Sequence, residues 1–376
     1  MISREHKLRK GAYSVLIVCE GQNTEPSYFS KFQNYLNEKY KSEYPDGIYF
    51  SIFPYPQEEK EIIDLENQLF TRVKQKQEIQ NFAAIINEDV EDEFLAEPTR
   101  WVRFAQKNSV NAGFNELWSV FDYDNRPVAE IKKAFDLARN TELENGNVKI
   151  AYSSYSFEYW LLLHYELFDT YIAGSECKDK NGKEIGCSRK GCTNSNNCNG
   201  TKCLGGYMRS KSYEVSNYNK TTESTFPALI PYLRKARYNA SFIRQQPKNI
   251  KSSLWEIFPV TNMDLFIDSF VKDFLQIEWQ FHGKKILLTP IEIIWNFDNN
   301  NFLNIKVSRT NKATVIFAIG KFKLLNSNFE EFVIEQRVQL SENDFMELKP
   351  IDTKQFNTEI KFISIEFDQK IYISLI

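Results

Sequence analysis

At 376 residues the chain has room for two domains, each with a sizeable core. Its 42% hydrophobic and 26% charged content is ordinary for a soluble globular protein, and no apolar run reaches the ~18 residues a membrane-spanning helix needs. A net charge of −3 excludes a general attraction to nucleic acid, so any such binding must come from local basic patches. The opening residues Met1 to Gly11 are polar and basic, with Arg4, His6, Lys7, Arg9 and Lys10, rather than a secretory signal. A cytoplasmic protein without membrane contact is expected.

The first element is Val15-Leu-Ile-Val-Cys19, an apolar run ending in Glu20-Gly21, which reads as a buried parallel strand followed by a glycine turn. A helix then opens around Thr24 to Pro26, since proline suits the first helical turn, and Phe29, Phe32, Leu36 and Tyr40 recur at helical spacing. Ile48 to Phe53 reads as a second strand closed by Pro54 and Pro56. Glu58 to Glu78 reads as a helix with Ile62, Leu65, Leu69 and Val73 on one face, and the acidic run Glu88 to Glu93 as a solvated helical face.

Leu117 to Phe121 is again a short apolar run that ends in acids, here Asp122-Tyr-Asp124, before a helix from Val128 to Arg139. In extended backbone, residues two apart point the same way, so both aspartates face one point. Carboxylates held that close repel unless a cation or proton lies between them, and Mg²⁺ favours carboxylate oxygens. Such a pair alone would as readily be a turn or a helix cap. The matching strand-end acid at Glu20 favours a site. A third such unit, Val148 to Tyr152, runs through Ser153 to Ser156 into Phe157-Glu158-Tyr-Trp160. Glu158 is either a helix N-terminal carboxylate or a further metal-orienting acid, and His164 reads as a core histidine.

Strands alternating with helices imply a parallel sheet covered on both faces. The motifs Val18-Cys-Glu20-Gly21, Thr24-Glu25-Pro26-x-Tyr28-Phe29, Phe121-Asp122-x-Asp124 and Ser156-Phe-Glu158-x-Trp160 resemble the RloB family of Toprim proteins, with the abortive-infection protein AbiLii as a relative. The resemblance runs from about Val15 to Phe274 and includes Pro259 to Leu265, similar to the family's terminal docking helix. It implies a Toprim fold and a Mg²⁺- or Mn²⁺-dependent nuclease centre used in phage defence, often beside an ATPase partner. By position, Glu20 matches the Toprim glutamate, Asp122 and Asp124 the aspartate pair, and Glu158 the family's Phe-Glu-x-Trp element. Glu25 matches a second acid of related nucleases.

Five of the six cysteines crowd into a polar segment over 176–206: Cys177, Cys187, Cys192, Cys198 and Cys203. So polar a stretch cannot build a core, and in a reducing compartment four thiolates around Zn²⁺ are the favoured staple, with Cys187, Cys192, Cys198 and Cys203 the tidiest set and Cys177 a substitute for one of them. No Cys-x-x-Cys pair is present, and free thiols in a disordered segment are the alternative. Arg189 and Lys190 lie on this insertion. Further on come Arg209 and Lys211, then a helix from about Pro227 to Arg244 carrying Arg234 and Arg237 near Tyr232 and Tyr238. Basic groups interleaved with aromatics suit single-stranded or looped RNA, although a solvated surface helix fits equally well.

Beyond about residue 275 the texture becomes period-two: Leu303 to Val307, Val315 to Ile319, Phe332 to Glu335, Ile363 to Phe367 and Ile371 to Leu375. About seven to nine short strands in this tail point to a β-sandwich with an interaction role. The expectation is thus an α/β Toprim-like domain over 1–275 with a zinc-knuckle insertion, and an all-β domain over 276–376. Its substrate would be RNA (tRNA included) or DNA, and its partners an ATPase or further copies of itself. The alternative is a non-catalytic sensor or adaptor on the same fold.

Overall fold

The computed structural model describes residues 13–21, 24–54, 97–109, 113–123, 126–139, 147–172, 203–211 and 225–281, and most of 283–375 apart from short loops. The helix expected over 58–78, the acidic run 88–93 and the basic N-terminal arm lie outside the described residues.

Four parallel strands form the first sheet: β1 (Tyr13–Cys19), β2 (Ile48–Phe53), β3 (Glu116–Asp122) and β4 (Val148–Ser153). Their spatial order is β2-β1-β3-β4, with Val15 opposite both Phe50 and Glu116, and Phe121 opposite Tyr152. The chain leaves β1 toward one side and returns through β3 on the other, so the order reverses between β1 and β3. In open parallel sheets that reversal opens a crevice at the carboxyl ends of the strands.

Side-chain alternation assigns the two faces. On one, α1 (Thr24–Lys39) and α8 (Met263–Phe270) meet the sheet through Phe266, whose ring lies 4.7 Å from Phe29, 6.0 Å from Phe50 and 4.9 Å from Trp118. On the other, α2 (Glu97–Ser109) and α3 (Val128–Arg139) cover rings of opposite parity: Phe104 lies 4.7 Å from Phe53, and Phe135 lies 6.2 Å from Phe121. The expected α1 stripe is buried in full, with Phe29, Phe32 and Leu36 each 0% exposed. Short helices follow at α4 (Glu158–Leu163), α5 (Leu204–Arg209) and α6 (Thr225–Leu229).

The single helix expected from about Pro227 to Arg244 is instead broken. Between α6 and α7 (Leu233–Gln245) lies a 3₁₀ turn, Ile230–Tyr232, with Pro231 at its start. Proline has no N–H to give and its ring collides with the preceding turn, so an α-helix cannot run through it undisturbed.

The edge of β4 is closed by an amide side chain. Asn262 accepts from the Tyr152 N–H at 2.6 Å and donates to the Ile150 carbonyl at 2.8 Å, completing a ladder that has no further strand among the described residues. Thr261 and Ser154 add bonds on either side, including the Val260 N–H to Ser154 Oγ at 2.6 Å. An unpaired edge invites association, and this one is covered by the segment leading into α8.

The remaining strands are β5 (Gln276–Gln280), β6 (Lys285–Leu288), β7 (Ile291–Phe297), β8 (Phe302–Arg309), β9 (Ile316–Ala318) and β10 (Lys321–Asn326). They continue with β11 (Glu331–Ile334), β12 (Val338–Leu340), β13 (Phe345–Glu347), β14 (Ile351–Asp352), β15 (Ile360–Phe367) and β16 (Lys370–Leu375). One sheet runs β11-β10-β15-β16-β5 and a second runs β13-β8-β7-β6, with β14 also on β8 and β9 paired to β12. Trp295, Ile305 and Val307 of the second sheet share a core with Leu324, Ile363 and Ile365 of the first, so the two sheets face each other. Among the described residues the count exceeds the expected seven to nine because several strands are only two to four residues long. The outer face of the first sheet presents Ile277, Trp279, Phe362, Ile371 and Ile373 to Tyr238 and Phe242 of α7. The Gln245 amide bonds the Trp279 N–H at 2.9 Å and the Ile277 carbonyl at 3.0 Å, closing the β5 edge as Asn262 closes β4.

Candidate functional site: an acidic centre at the sheet reversal

Glu20 and Asp122 end neighbouring strands at the point where the strand order reverses. The Glu20 N–H continues the ladder to the Val120 carbonyl at 2.8 Å, and its carboxylate turns back to accept the Asp122 N–H at 3.1 Å. The second carboxylate oxygen of Glu20 accepts from Arg126 Nη2 in a short ion pair whose side chains are 18% and 9% exposed. Arg126 is held by its own backbone, its N–H donating to the Tyr123 carbonyl at 2.8 Å just before α3 begins.

Two further acids complete the group. Glu25 is in the first turn of α1 and Glu158 in the first turn of α4, and both are buried. A β-carbon at position 21 would collide with the Glu25 carboxylate, so only glycine leaves room for that acid to lie over the turn. Asp122 is half-buried and accepts a backbone hydrogen bond from Phe157, which ties it to the start of α4. Leading into α4, Tyr155 takes a left-handed φ of 66°, and its buried hydroxyl accepts from the Ile172 N–H at 2.8 Å. Non-glycine residues hold such a conformation only where their surroundings over-determine it.

Desolvation, followed by the charges of Glu25, Glu20 and Glu158, pushes the Asp122 carboxyl well above the usual carboxylate range. The Cys19 thiol is raised too, by burial and then by Glu25 and Asp122. Three acids, one just after β1 and one in the first turn of each of α1 and α4, therefore act on Asp122. A proton or a cation relieves their repulsion, and an all-carboxylate donor set matches a hard divalent ion such as Mg²⁺ or Mn²⁺. Among the described residues no three His, Cys, Asp or Glu side chains are drawn together closely enough to hold a metal ion. Asp124, the remaining expected ligand, lies outside the described residues.

Of the cysteines, Cys177, Cys187, Cys192 and Cys198 lie outside the described residues. Cys203 is buried at the start of α5, where its sulfur accepts from the Gly206 N–H at 3.4 Å. Arg189 and Lys190 are likewise outside. Arg209 is half-buried, Lys211 reaches Glu166 at 3.6 Å, and Arg234 is exposed on α7. Arg237 corrects the expected basic patch: it is 1% exposed, ion-paired with Asp268 and bonded to the Leu275 carbonyl at 3.0 Å. It shares the buried stripe Leu233, Ala236, Arg237 and Ala240, a helical spacing that could have marked it as interior. His164 is buried as expected, with Nδ1 3.0 Å from the Trp160 carbonyl, and desolvation lowers its pKa to about 4.

Sequence reasoning missed Arg126. The available signal was an Arg-Pro step shortly after a paired acid, at the same sheet edge as Glu20. No helix among the described residues is long and apolar enough to cross a membrane. No curated protein and no solved structure matches the chain. The description of RloB-like proteins matches residues 15–270, from the core of β1 to the last residue of α8. That span takes in the parallel sheet from Val15 of β1 onward, every described acid of the centre and the segment that closes the β4 edge. The chain belongs to the RloB-like protein family.

Proposed function

We propose that the chain is a Toprim-type, metal-dependent nuclease that acts as an abortive-infection effector against phage, hydrolysing phosphodiester bonds of RNA (tRNA included) or DNA. One observation carries this reading: Asp122, at the end of β3, is surrounded by the charges of Glu20, Glu25 and Glu158 at the reversal of a parallel sheet. Family membership supports the defence role.

Glu20, Asp122 and Asp124 would hold Mg²⁺ or Mn²⁺. An ion held there would supply water of lowered pKa and would neutralise phosphate charge. The Asp122 amide fixes the direction of the Glu20 carboxylate, which suits it to hold the ion or to accept a proton from the attacking water. Glu25 and Glu158 keep the surroundings negative and favour entry of a cation over a second anion. Four of Cys177, Cys187, Cys192, Cys198 and Cys203 would bind a structural Zn²⁺. Arg189, Lys190, Arg209, Lys211 and Arg234 would meet the nucleic-acid backbone. An ATPase of the same defence system, or a second copy of the chain, is the partner this reading expects.

A second reading, a non-catalytic adaptor that binds a partner or nucleotide, is favoured by the Arg126–Glu20 ion pair, which already neutralises one acid. Phage challenge of cells carrying Glu20→Ala or Asp122→Ala decides between the two. Loss of protection with normal protein levels supports the nuclease, and unchanged protection supports the adaptor.

A further inference from the structure

Arg126 brings a positive charge into a group of acids that otherwise repel one another. Its placement is fixed on both sides: the backbone bond to Tyr123 precedes it, and Pro127 and α3 follow. Its guanidinium meets one Glu20 oxygen while the Asp122 N–H takes the other at 3.1 Å, so both oxygens of the strand-end acid are engaged. The pair is largely withdrawn from water, where a single positive charge acts strongly on its neighbours.

We infer that Arg126 is a built-in competitor of the divalent ion: it neutralises Glu20 while the centre is empty and must surrender a Glu20 oxygen before an ion can bind. This rests on the metal-centre reading above. A buried carboxylate among other acids needs a compensating charge, and Arg126 supplies it to Glu20. The acid that Arg126 holds follows the last residue of β1 and also accepts the Asp122 N–H, so the guanidinium lies within the acidic group itself. The consequence is a threshold. Only the fraction of molecules with Arg126 displaced binds metal, and the observed affinity falls by that fraction. Removing the guanidinium takes away both the competition and its repulsion of a second cation.

The test is a Mn²⁺ titration of the full chain, following free Mn²⁺ by electron paramagnetic resonance, with circular dichroism as a check on folding. Arg126→Met should tighten Mn²⁺ binding about tenfold, and Arg126→Lys, which keeps the charge but loses the planar fork, by about two- to threefold. In a Glu20→Gln background the Arg126→Met effect should shrink well below tenfold, because the group competed for is gone and only the repulsion of the cation by the guanidinium is left to remove. Unchanged or weaker Mn²⁺ binding in folded Arg126→Met overturns the inference. If that variant fails to fold, unchanged or weaker binding in Arg126→Lys does the same. Wild-type chain that binds Mn²⁺ with indifference to Arg126 sinks the inference and leaves the metal centre standing. A wild-type chain that binds no more Mn²⁺ than Asp122→Asn sinks both.

Discussion

The Glu25 carboxylate lies where a side chain at Gly21 would have to be. Gly21 thus shapes the acidic centre without contributing a functional group of its own. Gly21→Ala forces the flexible end of the Glu25 side chain to swing aside, which costs the fold little but takes the carboxylate out of the centre. The expected outcome is a modest drop in melting temperature with a much larger loss of Mg²⁺-dependent activity. Loss of stability with full activity would show that Glu25 does not need this position.

Asp122 gives the fold a definite pH response. Its carboxyl is raised in the folded protein by desolvation and by three neighbouring acids. The protonated form is therefore favoured by folding, and its contribution is present at low pH and lost as pH rises through the raised value. In the presence of EDTA, Asp122→Asn should melt at a higher temperature than wild type at pH 7–8. The gap should close as pH falls toward 4, and a constant gap would contradict the charge argument.

His164 works in the opposite direction. Its folded pKa of about 4 lies below the ordinary 6.5, so the unfolded chain takes up its proton first as pH falls. Stability from this group is complete above pH 6.5 and is lost on the way down to about 4, on the order of 3 kcal/mol in total at 1.36 kcal/mol per unit. Urea unfolding at pH 4.5 and pH 7 should show a smaller pH difference in His164→Gln than in wild type. Equal differences would mean that the ring is not held neutral.

Asn262 and Gln245 each stand in for a missing strand neighbour. Asn262→Ala leaves the Tyr152 N–H and the Ile150 carbonyl without this partner in a buried place, at about 1–3 kcal/mol for each group. Chemical denaturation should show a loss of about 2–4 kcal/mol with an unchanged slope. The corresponding contact at Gln245, together with Tyr238 and Phe242 against Trp279, couples the parallel-sheet unit to the β-sheets. Calorimetry of the full chain should accordingly show one transition. Two well-separated transitions would mean that this interface is weak.

Much of the site's scaffold was legible in the residues. The strands ending at Cys19, Asp122 and Ser153 announce themselves as short apolar runs stopped by polar groups, because a strand covered on both faces has no polar side to show. Helix α1 was equally plain, since Phe29, Phe32 and Leu36 keep helical spacing. What could not be read was whatever depends on contacts between distant segments. Arg126 gains meaning only once β1 and β3 are neighbours. Asn262 looks like a helix cap until β4 is known to be an edge. Arg237 was read as surface by its charge, although its position beside Leu233 and Ala240 placed it inside. The break at Pro231 was visible and went unused.

The central claim is that Glu20 and Asp122 serve a divalent-ion nuclease. Incubating the purified full chain with end-labelled tRNA, single-stranded DNA and plasmid, in Mg²⁺ and in EDTA, tests it most directly. Mg²⁺-dependent cleavage of at least one substrate, abolished by EDTA and by Asp122→Asn, is the expected result. Cleavage that persists undiminished in Asp122→Asn or in EDTA would contradict it.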